Sequence, residues 1–299
     1  MLGSHLVANL KSRSSGEVLP LSRTEADLRR QGSFYSILQD FRPDVVVHTA
    51  AKVGGIRANM DNPTGFLLEN LQIDTNVVSA SLDYGVRDFL YVGSSCMYPK
   101  DYRQPLQEID LLQAPLEPTN EGYALAKIAG TKLCEYVSDS MGLNYRTIIP
   151  SNLYGPGDNF DPNSSHMLPS AIRKIHQARL DGKREVSIWG SGAARREYTY
   201  VVDLANWLVD ALPRLGEFPT LLNVGVNLDF TIRELYETVM RVLDYEVELL
   251  TDTSRPDGMM SKLMSSRYAN DKLGWSPTTS LEDGIARTYA WFLEEQISS

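Results

Sequence analysis

Tyr123 and Lys127 stand four residues apart in the run Asn-Glu-Gly-Tyr-Ala-Leu-Ala-Lys, residues 120–127. On a helix that spacing puts phenol and ammonium on one face, where the cation lowers the phenol's pKa and makes it a usable proton donor or acceptor near pH 7. The pair alone is a weak signal, because a chain with 15 tyrosines yields one Tyr-x-x-x-Lys by accident. Ser94 strengthens it. It follows the apolar run Phe-Leu-Tyr-Val (89–92) and Gly93, so it reads as the carboxyl end of a parallel strand, the edge that faces the ligand crevice. A hydroxyl there donates to a substrate carbonyl while the tyrosine protonates it; its structural alternative is to cap the turn that follows.

Such a site needs a frame that brings a strand end to a helix start. Apolar runs at 18–21, 45–47 and 89–92 alternate with helical patterns at 33–41 and 66–84, which predicts βαβ units and a Rossmann-type doubly wound parallel sheet. A helix over about 120–141 and a strand at about 145–149 continue the rhythm. Beyond Pro150 comes Ser-Asn-Leu-Tyr-Gly-Pro-Gly-Asp-Asn-Phe-Asp-Pro-Asn-Ser-Ser-His (151–166), read as an ordered functional loop. Helices at about 168–180, 203–212, 231–243 and 281–294 and a short strand ending at Trp189 complete the reading. Residues 1–150 are expected to form an NADP-binding domain. Residues 151–299 are expected to form mainly a smaller substrate-binding lobe over the sheet's carboxyl edge, with some segments returning to the sheet.

The net charge of −9 argues against a nucleic-acid partner, which needs a surplus of Lys and Arg. There is no apolar run near the roughly 18 residues of a membrane span, and no basic segment precedes an apolar one at the start. A soluble, cytoplasmic protein is expected. Cys96 and Cys134 form no disulfide framework and lack metal-ligand spacing, so no metal is expected.

The ordered motifs Gly-Ser-Ser-Cys-Met-Tyr-Pro (93–99), the 120–127 run, Pro-Ser-Asn-Leu-Tyr-Gly-Pro-Gly-Asp-Asn-Phe (150–160), Ser-His-Met-Leu-Pro (165–169), Trp-Gly-Ser-Gly (189–192) with Arg-Arg-Glu-Tyr (195–198), and Ala-Lys-Val-Gly-Gly-Ile (51–56) span nearly the whole chain. Together they resemble the extended short-chain dehydrogenases and, within them, the GDP-L-fucose synthases. The resemblance implies epimerisation of a GDP-4-keto-6-deoxymannose at C3 and C5, then NADPH-dependent reduction at C4. It implies that Ser94, Tyr123 and Lys127 serve the reduction and that Cys96 and His166 serve the epimerisation. A thiol and an imidazole suit proton removal on one face and return on the other; their structural alternatives are a small buried hydrophobe and a backbone-bonded loop residue. Trp189, Arg196, Lys262 and Lys174 are candidates for the GDP-sugar, Lys174 standing where an arginine is expected. Ser94, Ser95, Lys127, Pro150, Asn152, Leu153 and His166 are candidates for the cofactor. Arg195 reads as a surface charge and Cys134 as core. A homodimer built on the helices at 66–84 and 120–141 is expected by the same analogy. The alternatives are a related epimerase or reductase, for example on a 3,6-dideoxy GDP-sugar or a UDP-sugar 4-epimerase, and a sugar-nucleotide binder with impaired cofactor grip.

The cofactor end is the irregular one. Ser22-Arg23 follows the second expected strand, where an acidic residue holds the ribose of NAD, so a 2′-phosphate is favoured. Gly3 reads as the third glycine of a G-x-x-G-x-x-G turn whose first strand and first two glycines are missing. Either a segment lies upstream, or cofactor grip is weakened by the loss of backbone donors to the pyrophosphate.

Overall fold

The computed structural model describes residues 1–298. In chain order its helices are α1 (Leu2–Arg13), α2 (Ser33–Phe41), α3 (Ile56–Asp61), α4 (Pro63–Tyr84), α5 (Glu121–Met141), α6 (Met167–Asp181), α7 (Val201–Ala211), α8 (Ile232–Leu243), α9 (Arg267–Leu273) and α10 (Leu281–Ser298). Its strands are β1 (Val45–His48), β2 (Asp88–Val92), β3 (Asn144–Pro150), β4 (Asn152–Tyr154), β5 (Glu185–Trp189), β6 (Arg195–Tyr200), β7 (Leu221–Val224), β8 (Asp229–Thr231), β9 (Glu248–Asp252) and β10 (Ser261–Lys262).

Short apolar runs pair into one parallel sheet in the order β1-β2-β3-β7. Successive side chains of a strand point to opposite faces, so β2 feeds two cores. Phe89 and Tyr91 pack with Val77, Val78, Val137 and Tyr145 beneath α4 and α5. Leu90 joins Ile148, Leu222, Leu6, Leu204 and Leu208 beneath α1 and α7. Both faces are thus covered, as a parallel sheet requires. Helix α5 lies very close to β2 because Gly130 faces Tyr91: a Cβ there would meet the phenol oxygen at 2.5 Å.

The run 18–21 does not form the expected strand. It is extended but carries no ladder bonds, because a strand requires a neighbour and the outer edge of β1 pairs with nothing among the described residues. Between that edge and the run 18–21 lies a groove of about 1410 Å³, lined by Leu6, Leu10, Val18, Leu21, Val45 and Val47.

The second half of the chain builds a parallel ladder β10-β6-β4, with β8 antiparallel to β6, and a separate parallel pair β5-β9. Leu168, Ile172, Ile188, Leu235 and Val239 form its core between α6 and α8. The fully buried Glu197 ties these pieces together, accepting from the backbone N–H of Asn227 at 2.8 Å and of Met264 at 3.0 Å. Burial pushes its carboxyl from the ordinary 4.5 up to about 7, against the pull of those N–H donors. Between those two values the folded state holds a proton that the unfolded chain releases. This group's contribution to stability is therefore full below pH 4.5 and is lost as pH rises to about 7. Glu197→Gln cannot titrate. Urea unfolding should show wild type losing on the order of 2–3 kcal/mol relative to the variant across that window; a pH-independent difference would mean that the carboxyl titrates normally.

Candidate active site

Ser94 lies two residues beyond β2 in extended conformation, and its Oγ accepts from the Cys96 N–H at 3.2 Å, capping the 3₁₀ turn Ser95–Met97. The same hydroxyl lies near enough to the phenol of Tyr123, on the first turn of α5, to pull its pKa down. Capping and chemistry are therefore compatible at this residue. Tyr123 meets the edge of Phe66 with ring centroids 6.4 Å apart.

Contrary to expectation, the phenol's pKa is raised, by burial first and by the Cys96 sulfur second, while the Ser94 hydroxyl opposes both. The reason lies one turn on. The buried Lys127 ammonium lies 3.7 Å from Asp74 Oδ2 and 4.2 Å from the centroid of Tyr91, so its charge is answered from α4 and β2. Burial lowers the Lys127 pKa and Asp74 works to raise it.

Cys96 sits beside this pair. Asn120, the residue before α5, donates to its Sγ at 3.2 Å, and Lys262 Nζ approaches it at 3.8 Å. Asn120 Oδ1 is buried without a partner. Lys262 is carried in by β10, whose ladder to β6 sets it opposite Arg196. His166 precedes α6, open to solvent yet walled closely enough for desolvation to lower its pKa, and Lys262 lowers it further. Lys262, expected at a phosphate or ribose, thus touches the thiol and acts electrostatically on the imidazole. The segment 51–56 braces the imidazole's loop: Gly55 N–H donates to Ser164 O at 3.2 Å, and a Cβ on Gly55 would come within 2.7 Å of Ser165 O.

A second cluster lies along β5 and β6. Trp189 ends β5 partly exposed, with the Arg255 guanidinium 5.0 Å from its ring centroid. Arg196 donates to Asp257 O at 3.1 Å, and Asp257 Oδ1 accepts from Ser191 N–H at 2.8 Å, which ties the Trp189 turn to the arginine. Lys174 reaches β5 instead, donating to Ser187 O at 2.8 Å. Arg195 turns outward and pairs with Asp229 at 2.8 Å. Cys134 is buried in the core against α4.

At the other end of the cleft, Gly3, Ser22, His48 and Ala50 line the groove beside β1. A side chain at Gly3 would meet Thr49 Oγ1 at 2.7 Å, so glycine keeps open the space between α1 and the carboxyl end of β1. Arg23 is exposed next to Ser22. Ser95 is buried in its turn, while Pro150 ends β3 and Leu153 is the middle residue of β4. Asn152 Nδ2 donates to Glu197 O at 2.8 Å.

Sequence reasoning missed Asp74, His48, Tyr91, Asn120 and Asp257. A faint signal existed for the first: Asn70, Asp74 and Ser81 fall on the buried face of α4 among Phe66, Val77 and Val78.

Known proteins resemble this chain in sequence and fold. The family model described as "NAD dependent epimerase/dehydratase family" matches residues 1–225. A GDP-L-fucose synthase from Azorhizobium caulinodans is 44% identical over 293 residues, covering 98% of this chain and 93% of the relative. A GDP-L-colitose synthase from Yersinia pseudotuberculosis is 42% identical over 297 residues, covering 99% and 96%. Among solved structures, a GDP-mannoheptose C4 reductase from Campylobacter jejuni with NADP bound superposes with a TM-score of 0.87 at 30% identity, covering 98% of this chain and 95% of that one. Sheet, motifs and relatives converge, and the chain belongs to the NAD dependent epimerase/dehydratase family.

Proposed function

We propose that this chain epimerises GDP-4-keto-6-deoxy-D-mannose at C3 and C5 and reduces it at C4 with NADPH, giving GDP-L-fucose. One observation carries the reading: Lys262 lies 3.8 Å from the Cys96 sulfur and also acts on His166, so one buried cation influences a thiol and an imidazole, and the same sulfur acts on Tyr123. A reduction alone needs no thiol and imidazole there. Inversion at two carbons next to a carbonyl does, because each requires a proton to leave one face and return on the other.

The C4 ketone acidifies the hydrogens on C3 and C5, and Cys96 and His166 exchange them. Ser94 donates to the C4 oxygen, holding negative charge as it develops, and Tyr123 delivers the proton that completes the alcohol. Lys127 supplies positive charge one turn away. NADPH supplies the hydride; Gly3, Ser22, Arg23, Lys127, Pro150, Asn152 and Leu153 would hold it, the open space that Gly3 preserves fitting a dinucleotide. Arg196 and Trp189, with Lys174 behind β5, would hold the guanosine diphosphate, since a guanidinium offers a diphosphate paired donors.

Residues 1–150 then serve the cofactor and 151–299 mainly the sugar nucleotide, with β7 returning to the first sheet. A homodimer through α4 and α5 is favoured by the exposed Leu68, Leu125, Tyr136 and Met141 on those helices. No helix among the described residues is long and apolar enough to cross a membrane, and an acid/base thiol suits the reducing cytoplasm.

Tyr123→Phe should abolish formation of the C4 alcohol while deuterium from solvent still enters C3 or C5 of the keto sugar, read by NMR; reduction at the wild-type rate would remove Tyr123 from the mechanism. Cys96→Ser and His166→Gln should each leave any reduced product unepimerised, because a serine hydroxyl is far too weak an acid and glutamine cannot titrate. Normal L-sugar from either variant sinks that residue's role. Turnover restricted to a 3-deoxy keto sugar, which has no C3 stereocentre to invert, would favour the colitose-type reaction instead; GDP-sugar binding without turnover would mark a binding protein.

A further inference from the structure

We propose that Asp74 is the positioning residue of the Lys127 ammonium, its carboxylate clamped by His48 and Tyr91 so that it anchors the cation beside Tyr123. The inference deepens the reading of the Tyr123–Lys127 pair given above and rests on it for its functional consequence.

Three elements meet at this carboxylate. His48 Nε2, from the end of β1, lies 2.9 Å from Asp74 Oδ1. Tyr91, from β2, donates its hydroxyl to Oδ2 at 2.5 Å, and Lys127 Nζ, from α5, stands 3.7 Å from the same oxygen. The side chains of His48, Asp74 and Lys127 are each 2% exposed, so the cluster is closed to bulk water. Both carboxylate oxygens are engaged, and Tyr91 contributes twice, its hydroxyl to Asp74 and its ring face to Lys127. Gly130 allows the ring to lie there, since a Cβ at that position would strike it.

A carboxylate held at two corners cannot swing to follow the lysine. The lysine must come to it. That fixes the ammonium on the side of α5 that carries Tyr123 four residues earlier. The other titratable groups around Lys127 are His48 from β1, Tyr91 from β2, and Tyr123 and Cys134 on α5 itself. Among the described residues Asp74 is the one carboxylate within ion-pair distance. Burial lowers the pKa of Lys127, and that partner works against the fall.

The test labels lysine with ¹³Cε in the full chain and follows the Lys127 resonance, assigned by its loss in Lys127→Arg, through a pH titration without substrate. Asp74→Asn removes the charge at nearly constant shape and should lower the midpoint by about one pH unit or more. Tyr91→Phe keeps the ring under the ammonium but frees Oδ2 from a competing donor, so the midpoint should rise. Opposite movements are what a positioned ion pair gives; a general loosening of the core moves both the same way. In kcat/KM with NADPH and the keto sugar, the alkaline limb should follow each midpoint. A midpoint unchanged in both variants overturns the proposal. If Asp74→Asn does not fold, Tyr91→Phe decides alone: a rise supports the pairing, and no movement or a fall refutes it. Shifted midpoints in a protein that turns over no keto sugar would instead leave the pairing standing and remove the enzymatic reading.

Discussion

Burying the Lys127 ammonium costs several kcal/mol unless an anion stands against it, and much of the first half of the chain is arranged around supplying that anion. Asp74 lies on the inner face of α4 because Asn70 and Val78, one turn away on either side, are themselves buried. A lone carboxylate at that depth would be as costly as a lone ammonium, so burial works to raise the Asp74 pKa. Lys127, His48 and Tyr91 outweigh it and keep the carboxyl below its ordinary value. The charges stabilise each other only while α4, α5 and the first two strands remain in register. Chemistry and fold therefore share one set of contacts, and loosening the sheet at β2 would loosen the site.

The second half of the chain faces a different problem, which is to bring groups far apart in sequence to one cleft. Cys96 follows β2, His166 opens α6 and Lys262 belongs to the two-residue β10. Glu197 answers this with its two buried bonds to Asn227 N–H and Met264 N–H, which join β6 to the turn after β7 and to the segment beyond β10. Lys262 and Arg196 are then neighbours by ladder register. The thiol and the imidazole sense a common cation because of that register and not because of any local sequence pattern.

This division explains what the sequence revealed. The alternating apolar runs and the spacing of Ser94, Tyr123 and Lys127 are local signals, and the doubly wound sheet follows from them. The strand expected at 18–21 fails because an apolar run such as Val-Leu-Pro-Leu states only a willingness to pair, whereas a strand also needs a neighbour, and the edge of β1 offers none among the described residues. The direction of the Tyr123 shift is not a local signal either, since burial, its first cause, exists only in the folded chain. Four-residue spacing places two side chains on one face but does not say which third group claims the charge, and Asp74 is remote in sequence. Lys262 was legible as a site residue from its surroundings, while its contact with Cys96 depends on a ladder between segments more than sixty positions apart.

The cofactor end shows how a residue type can mislead until its bonds are known. Glu25 lies three positions after Ser22 and by type could accept a ribose 2′-hydroxyl, the mark of NAD. Its Oε2, however, accepts from the Ser22 backbone N–H at 2.7 Å, closing a tight turn, and that bond holds the carboxyl below its ordinary pKa. The Ser22 hydroxyl is shared with Thr24 at 2.7 Å. With the carboxylate committed to the backbone, the turn presents hydroxyls and the exposed Arg23 to a ligand. Donors and a cation at that position suit a phosphate better than a hydroxyl that itself needs an acceptor. The turn chemistry of four residues thus suits the proposed grip on a phosphorylated dinucleotide, and it does so by occupying the acid rather than by lacking one.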